Sequence, residues 1–151
     1  MKVYVSYFYK IRFFTPDMIP ISTARSDPKW YHENKGEDHW FVDKNGVING
    51  LRAPVFAPGN HLEGLCGGNC RSKRPDECMF LKGYENQLKN LDFDDVIART
   101  LALCRKVASF LELQDEPTAV FIVHEATDNP CSERAAIINL FKSHGIECEE
   151  W

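Results

Sequence analysis

The chain has 151 residues, of which 44% are hydrophobic and 26% charged, an ordinary globular composition that fits one domain with a substantial core. Its net charge of -4 argues against a general nucleic-acid binder, which needs clustered Lys and Arg side chains. No apolar run is long enough for a membrane span and no signal-peptide pattern opens the chain, so its six cysteines predict a reducing, cytoplasmic location.

Two short stretches near the N-terminus predict the first strands of a sheet. Residues 2–9 are β-branched and aromatic, and residues 18–22 form a second apolar stretch in which Pro20 indicates an edge position or a strand start. Ser6 lies near the end of the first stretch, and Arg25 lies in the polar loop after the second. We therefore expect both side chains at the carboxyl ends of their strands, where open α/β sheets bind ligands.

A cysteine-rich loop over residues 59–78 carries the sharpest chemical signal. Closed zinc sites use four soft or borderline ligands in a tetrahedron, and three cysteines with one histidine are a common set. The spacing predicts a structural zinc site with the ligands His61, Cys66, Cys70 and Cys78. One alternative is an iron–sulfur cluster, for which Cys104, Cys131 or Cys148 supplies the fourth thiolate; another is a set of buried free thiols.

The middle of the chain predicts a small hairpin and two helices. A turn at residues 44–46 lies between apolar residues, as in a hairpin. Asp76 is the predicted cap of a helix that runs to residue 91, and Asp92 that of a second helix with a broad apolar face. Cys104 lies on that face and is predicted to be a core residue.

The last third of the chain predicts a strand, a helix and a closing strand. Residues 119–123 are a continuous apolar run, typical of a strand covered on both faces. From Ser132 the apolar residues recur at helical spacing until Gly145, and residues 146–151 are suited to a short strand. This is a βαβ unit, with a polar loop between its first strand and its helix.

That loop and the start of the helix place a group of reactive and charged residues in one crevice. Helix N-termini favour anions and lower the pKa of a thiol, so Cys131 is a candidate thiolate, while Ser132 and Arg134 are candidates for holding a phosphate or carboxylate. Glu125 is a candidate general base or ribose ligand. In the alternative interpretation, Cys131 is a small buried residue and Arg134 forms an ion pair with Glu125.

These features predict a single α/β domain over residues 1–151, with a mainly parallel, Rossmann-like sheet flanked by helices. The favoured function is binding of a small, anionic, nucleotide-like ligand through Ser6, Arg25, Ser132 and Arg134. The alternative is an enzyme acting on a nucleotide, with Cys131 as nucleophile or Glu125 as base and His124 as its partner. A third alternative is a zinc-stabilised interaction domain with an empty crevice.

Several short motifs resemble a phage and bacterial family known as domain of unknown function 488. They are SYF near the N-terminus, AP at residues 57–58, the helix motif YxxQLxxLD from Tyr84, and HEATDNPCSERAAIINLFKSHGIECEEW at the C-terminus. In that family a Cys-His-Arg triplet opens the helix, whereas this chain has Cys131-Ser132-Glu133-Arg134 and no histidine. The resemblance implies the fold, the crevice and, through a subgroup with a Cys-rich loop, the metal site.

Overall fold

The computed structural model describes residues 2–62, 65, 74–124 and 132–151. The strands are β1 (Val3–Tyr7), β2 (Met18–Ser22), β3 (Phe41–Val42), β4 (Ile48–Asn49), β5 (Thr118–Val123) and β6 (Cys148–Glu150). The α-helices are α1 (Met79–Lys89), α2 (Phe93–Phe110) and α3 (Glu133–Ser143), and five short 3-10 helices lie between β1 and α1.

Four of the strands form one parallel sheet in the order β2-β5-β1-β6, which confirms the predicted α/β class. Strand β5 is central and has its last five residues fully buried, as its unbroken apolar sequence predicts. Pro20 lies in the edge strand β2, where a missing N–H is tolerated, and this confirms the predicted position. The hairpin predicted around residues 44–46 is confirmed as the antiparallel pair β3-β4.

The two faces of the sheet are covered by different structures. On what we call the helical face, Val3, Ile19 and Phe121 share a core with residues of α1, α2 and α3. On the opposite face, which we call the loop face, Val120 and Ile122 pack against Phe8, Ile11, Phe14, Tyr31 and Val47. The connection from β1 to β2 therefore crosses the loop face through a 3-10 helix, Phe8–Phe13, and not through an α-helix.

Capping explains where the helices begin. Asp92 caps α2 by accepting from the Asp95 N–H, and Ser132 caps α3 by accepting from the Arg134 N–H, so both predicted starts are confirmed. The predicted cap at Asp76 is wrong. Residues Pro75–Glu77 form a separate 3-10 turn, and α1 begins at Met79 because the Cys78 sulfur accepts from the Leu81 N–H.

The C-terminal end of α3 also agrees with its sequence signal. Gly145 follows the helix at a φ of +77°, a conformation that glycine adopts without strain. Its N–H donates to the Lys142 carbonyl and closes the last turn. Within the described residues, no helix has both the length and the apolar character that a membrane crossing requires.

Candidate functional site

The carboxyl ends of β1 and β5 form the switch point of the sheet. The two strands are hydrogen-bonded neighbours up to the pair Tyr7 and Val123. After Tyr7 the chain turns over the loop face toward β2, whereas after β5 it reaches α3 on the helical face and continues to β6. The position between two such connections is the ordinary ligand position in open α/β sheets.

The first turn of α3 brings buried charge to this edge. Ser132, Glu133 and Arg134 are all buried, although charged side chains are rarely buried unless they are paired. The Arg134 Nε lies 2.9 Å from the Glu150 Oε1 at the end of β6. We call these two residues the Arg134 pair. The Glu150 side chain is 42% exposed, so a buried cation faces a carboxylate that is open to solvent.

Ser6 lies beside the same end of β6. It is fully buried on the loop face, and its hydroxyl donates to the Trp151 carbonyl over 3.3 Å. The Trp151 N–H in turn donates to the Val5 carbonyl of β1. Ser6 and Arg134 therefore both contact the last two residues of the chain, but Ser6 lies on the loop face and Arg134 on the helical face, so the structure does not bring these two predicted ligands together.

Arg25 lies at the other edge, after β2. Its Nε donates to the Pro58 carbonyl over 2.7 Å, and its Nη2 donates to the Gly59 carbonyl. Gln87 of α1 supports the same segment, because its side chain accepts from the Gly59 N–H and donates to the Ala57 carbonyl. Arg25 thus binds the backbone at residues 58 and 59, where the Cys-rich loop begins. Strands β5 and β1 separate Arg25 from β6.

Glu125 and Cys131 lie outside the described residues. His124, which directly precedes that segment, is exposed and packs edge-on against Phe8 with ring centroids 6.1 Å apart. It therefore lies at the switch point, as its position after β5 predicts.

The predicted metal ligands lie partly outside the described residues, because Cys66 and Cys70 are not covered. His61 is exposed in a 3-10 turn, Asn60–Leu62, that packs on α1 where Leu62 meets Gly83. Cys78 is buried at the start of α1, with its sulfur 3.4 Å from the Leu81 nitrogen. In the described residues no group of three His, Cys, Asp or Glu side chains is arranged to hold a metal.

Cys104 and Cys148, the alternative fourth ligands, lie in the core of the helical face. Burial raises the pKa of each thiol to about 11, so both are neutral at pH 7. The prediction that Cys104 is a core residue is confirmed.

A second polar cluster, which the sequence interpretation missed, lies at the end of β2. It consists of Ser22, Asp27, His32 and Arg52, and we call it the Asp27 cluster. The Asp27 carboxylate is fully buried; its Oδ1 accepts from the Ser22 hydroxyl, and its Oδ2 lies 2.6 Å from the His32 Nε2. The Arg52 Nε lies 3.1 Å from the same Oδ2 as an ion pair, without the alignment of a hydrogen bond.

The hydrogen bonds of His32 define its role in this cluster. Its Nδ1 lies 2.8 Å from the His39 carbonyl, which only accepts, so Nδ1 donates and the other ring nitrogen shares a proton with Asp27. Ser22 bonds to the carboxylate and not to the imidazole, so the arrangement lacks the nucleophile–base contact of a hydrolase. The sequence signal for this cluster was Asp27 before Pro28, in the polar loop that follows the predicted strand.

Comparison with known proteins gave no match, whether against protein-family models, curated proteins or solved structures. The resemblance to domain of unknown function 488 therefore stays a prediction, and the functional argument depends on the geometry of the chain itself.

Proposed function

We propose that the protein binds a small anionic ligand, of nucleotide type, in the crevice formed by the ends of β1, β5 and β6 and the start of α3. The observation that carries this proposal is the Arg134 pair: a buried guanidinium at a helix start, facing a carboxylate that is 42% exposed. The position of α3 after β5 supports it, because the N-terminus of a helix at a switch point favours anions.

The chemistry of the pair favours a phosphate. A guanidinium presents a planar fork of donors that matches phosphate and carboxylate geometry, and the helix N-terminus adds a partial positive charge. A ligand phosphate replaces the interaction of Arg134 with Glu150 and leaves the half-exposed carboxylate to be solvated by water. Ser6 lies on the opposite face of the sheet, where its hydroxyl donates to the Trp151 carbonyl, so the proposal depends on Arg134 and the start of α3.

A titration of the full chain with nucleotides tests this proposal. We expect nucleoside mono- and triphosphates to raise the Tm and to bind by calorimetry, and the matched nucleosides to bind at least about tenfold more weakly. Arg134→Gln removes the cation and is expected to abolish this preference, whereas Arg134→Lys retains part of it. Nucleotide turnover in the same samples points to the enzyme alternative with Cys131 and Glu125.

The matched control is Arg105→Gln on α2. Arg105 is exposed, so this variant changes the net charge equally without altering the crevice. Equal nucleotide affinity in the parent and in a folded Arg134→Gln variant contradicts the proposal. Equal losses in Arg134→Gln and Arg105→Gln also contradict it, because they indicate a general charge effect.

We further propose that His61, Cys66, Cys70 and Cys78 bind one structural zinc ion, with an iron–sulfur cluster as the alternative. The two ligands in the described residues support this. The turn that carries His61 packs on α1, and Cys78 opens that helix with its sulfur accepting a backbone N–H, as metal-bound thiolates do.

Elemental analysis and a visible spectrum of anaerobically purified protein test the metal proposal. We expect about one zinc per chain and no colour, and loss of the metal together with a lower Tm in Cys66→Ser and Cys70→Ser. Iron with a brown chromophore indicates the cluster instead. A Cys66→Ser variant that retains its metal and its Tm contradicts the ligand assignment.

A further inference from the structure

A cavity of about 390 Å³ lies among the segments that cover the loop face of the sheet, and neither residue of the Arg134 pair lines it. It is bounded by the 3-10 helix after β1, by Trp30 and by the β3-β4 hairpin. Ligand pockets in proteins typically measure about 300 to 1,000 Å³, so the cavity has room for a ring system of one or two rings.

The walls of this cavity are aromatic and partly exposed. Tyr9 is 51% exposed and Trp30 is 44% exposed, and Phe41 forms a third, half-buried wall. The floor is fixed, because Phe8 is buried and packs edge-on against Trp30 with centroids 6.2 Å apart. Exposed aromatic side chains around a rigid floor are suited to stacking a planar ring.

Two of the three charged groups that line the cavity are cations. Arg12 stacks over the Tyr9 ring at 3.8 Å, and its Nε donates to the Tyr9 carbonyl, so the guanidinium is held in place. In the described part of the chain, its two terminal nitrogens and the Lys44 ammonium have neither a hydrogen-bond nor an ion-pair partner. These groups are free to bind an anion.

The one carboxylate in the lining does not neutralise those cations directly. Asp43 is committed to its own turn, since its Oδ1 accepts from the Asn45 N–H and the Val47 N–H. Its Oδ2 accepts from the Asn49 side-chain amide over 3.1 Å. Aromatic walls thus lie next to two cations whose donors are available.

We propose that this cavity binds a planar aromatic anion, a ring system that carries a carboxylate or a phosphate. The ring packs against Trp30, and the anionic group bonds to Arg12, which is held over Tyr9, and to Lys44. This site shares no residue with the Arg134 pair.

Two-dimensional NMR of the tryptophan indole N–H groups locates binding directly. The chain has three tryptophans, so the Trp30 cross-peak is assigned by its loss in Trp30→Phe, and Trp40 is the internal reference. The probes are adenosine monophosphate and 2-naphthoate, with adenosine and 2-naphthylmethanol as their uncharged counterparts. We expect at least one anion to shift the Trp30 peak saturably, with a Kd of about 1 mM or tighter.

Charge variants then test the assigned contacts. Arg12→Gln and Lys44→Gln are each expected to weaken binding about tenfold, and the uncharged counterparts to bind about tenfold more weakly than the anions. Lys82→Gln, an exposed change on α1, is the control and is expected to have no effect. Arg134→Gln is also expected to leave this binding unchanged, so the proposal for this cavity and the proposal for the Arg134 pair are tested independently.

The outcomes decide both the site and the ligand class. Binding of adenosine monophosphate alone identifies a phosphate ligand, and binding of 2-naphthoate alone identifies a carboxylate. The proposal is overturned if neither anion moves the Trp30 peak at about 10 mM, a concentration well above the expected Kd. It is also overturned if the uncharged probes bind equally well, or if Arg12→Gln and Lys44→Gln both bind like the parent.

Discussion

The Asp27 cluster and the Arg134 pair lie at opposite edges of the same sheet, and they satisfy buried charge in different ways. In the cluster, a fully buried carboxylate is surrounded by a hydroxyl, an imidazole and a guanidinium. In the pair, a buried guanidinium faces a carboxylate that is 42% exposed. The carboxylate of the cluster, Asp27, is not exposed to solvent, whereas the carboxylate of the pair, Glu150, is.

This difference determines what each site is suited to do. A buried charge whose partners are also buried is costly to disturb, because every group left behind loses both its partner and its hydration. A buried charge with a half-exposed partner exchanges that partner at lower cost, because water solvates the released group. We therefore assign the Asp27 cluster to stability and the Arg134 pair to ligand binding.

The largest expected effect comes from removing the central charge of the Asp27 cluster. Asp27→Asn removes the carboxylate that the buried His32 ring faces, and it leaves Arg52, whose side chain is 21% exposed, with Glu37 as its remaining ion-pair partner. We expect the free energy of unfolding to fall by about 3 kcal/mol. Urea denaturation measures this as a lower midpoint with an unchanged m-value.

The control for this prediction is Asp115→Asn, which removes an exposed carboxylate from the loop before β5. We expect a change below about 0.5 kcal/mol there. If Asp27→Asn also unfolds within that margin of the parent, the cluster contributes no net stability and the contrast with the Arg134 pair is wrong.

A smaller effect is expected from the two buried thiols of the helical face, Cys104 and Cys148. Burial raises the pKa of Cys104 and of Cys148 from an ordinary value of 9.0 to about 11. Between these values the unfolded chain has lost thiol protons that the folded chain retains. Stability is therefore fully present below about pH 9 and falls toward pH 11, by at most about 1.4 kcal/mol per pH unit for each thiol.

Urea denaturation at about pH 8 and about pH 10.5 measures this loss, and Cys104→Ala is expected to make it smaller. Tyr31 adds to it at the upper end, because burial and the nearby Asp27 charge raise the pKa of its phenol above the ordinary value of 10.0. Equal stability at the two pH values contradicts the prediction.

The parts of the fold that were predictable have local signals. The apolar run of β5, the proline of the edge strand β2, the caps Asp92 and Ser132 and the glycine after α3 each act within a few residues. Local steric and hydrogen-bonding rules therefore sufficed for them. The start of α1 was predicted wrongly, because Asp76 and Cys78 are both suited to cap a helix there. In the structure Cys78 is the cap, and Asp76 lies in a separate 3-10 turn.

The parts that were not predictable depend on long-range packing. Arg52 contributes to the Asp27 cluster only because it forms a bridge to Ser22 of β2, and no spacing rule relates it to Asp27. The ion pair of Arg134 with Glu150 was not predicted, because it depends on β6, which places that carboxylate at the start of α3. The alternative pair with Glu125 lies outside the described residues. The aromatic cavity likewise needs three separate segments.

The smallest effect on stability is expected from Glu150→Gln. This variant is also the sharpest test of the difference between the Asp27 cluster and the Arg134 pair. Because Glu150 is 42% exposed, its pair with Arg134 contributes little, and we expect the free energy of unfolding to fall by less than about 1 kcal/mol. Nucleotide affinity is expected to rise about threefold, because the competing carboxylate next to Arg134 is gone. Calorimetry of the variant and the parent at one salt concentration measures this gain.

Glu149→Gln is the matched control, because it removes the same charge from the adjacent residue of β6. Glu149 pairs with Lys2 over 3.3 Å, and successive side chains of a strand point to opposite faces. We therefore expect its nucleotide affinity to stay at the parent value. Equal gains in both variants indicate a general effect of net charge. A loss of affinity in Glu150→Gln means that Glu150 positions Arg134 for the ligand, and the pair then resembles the Asp27 cluster.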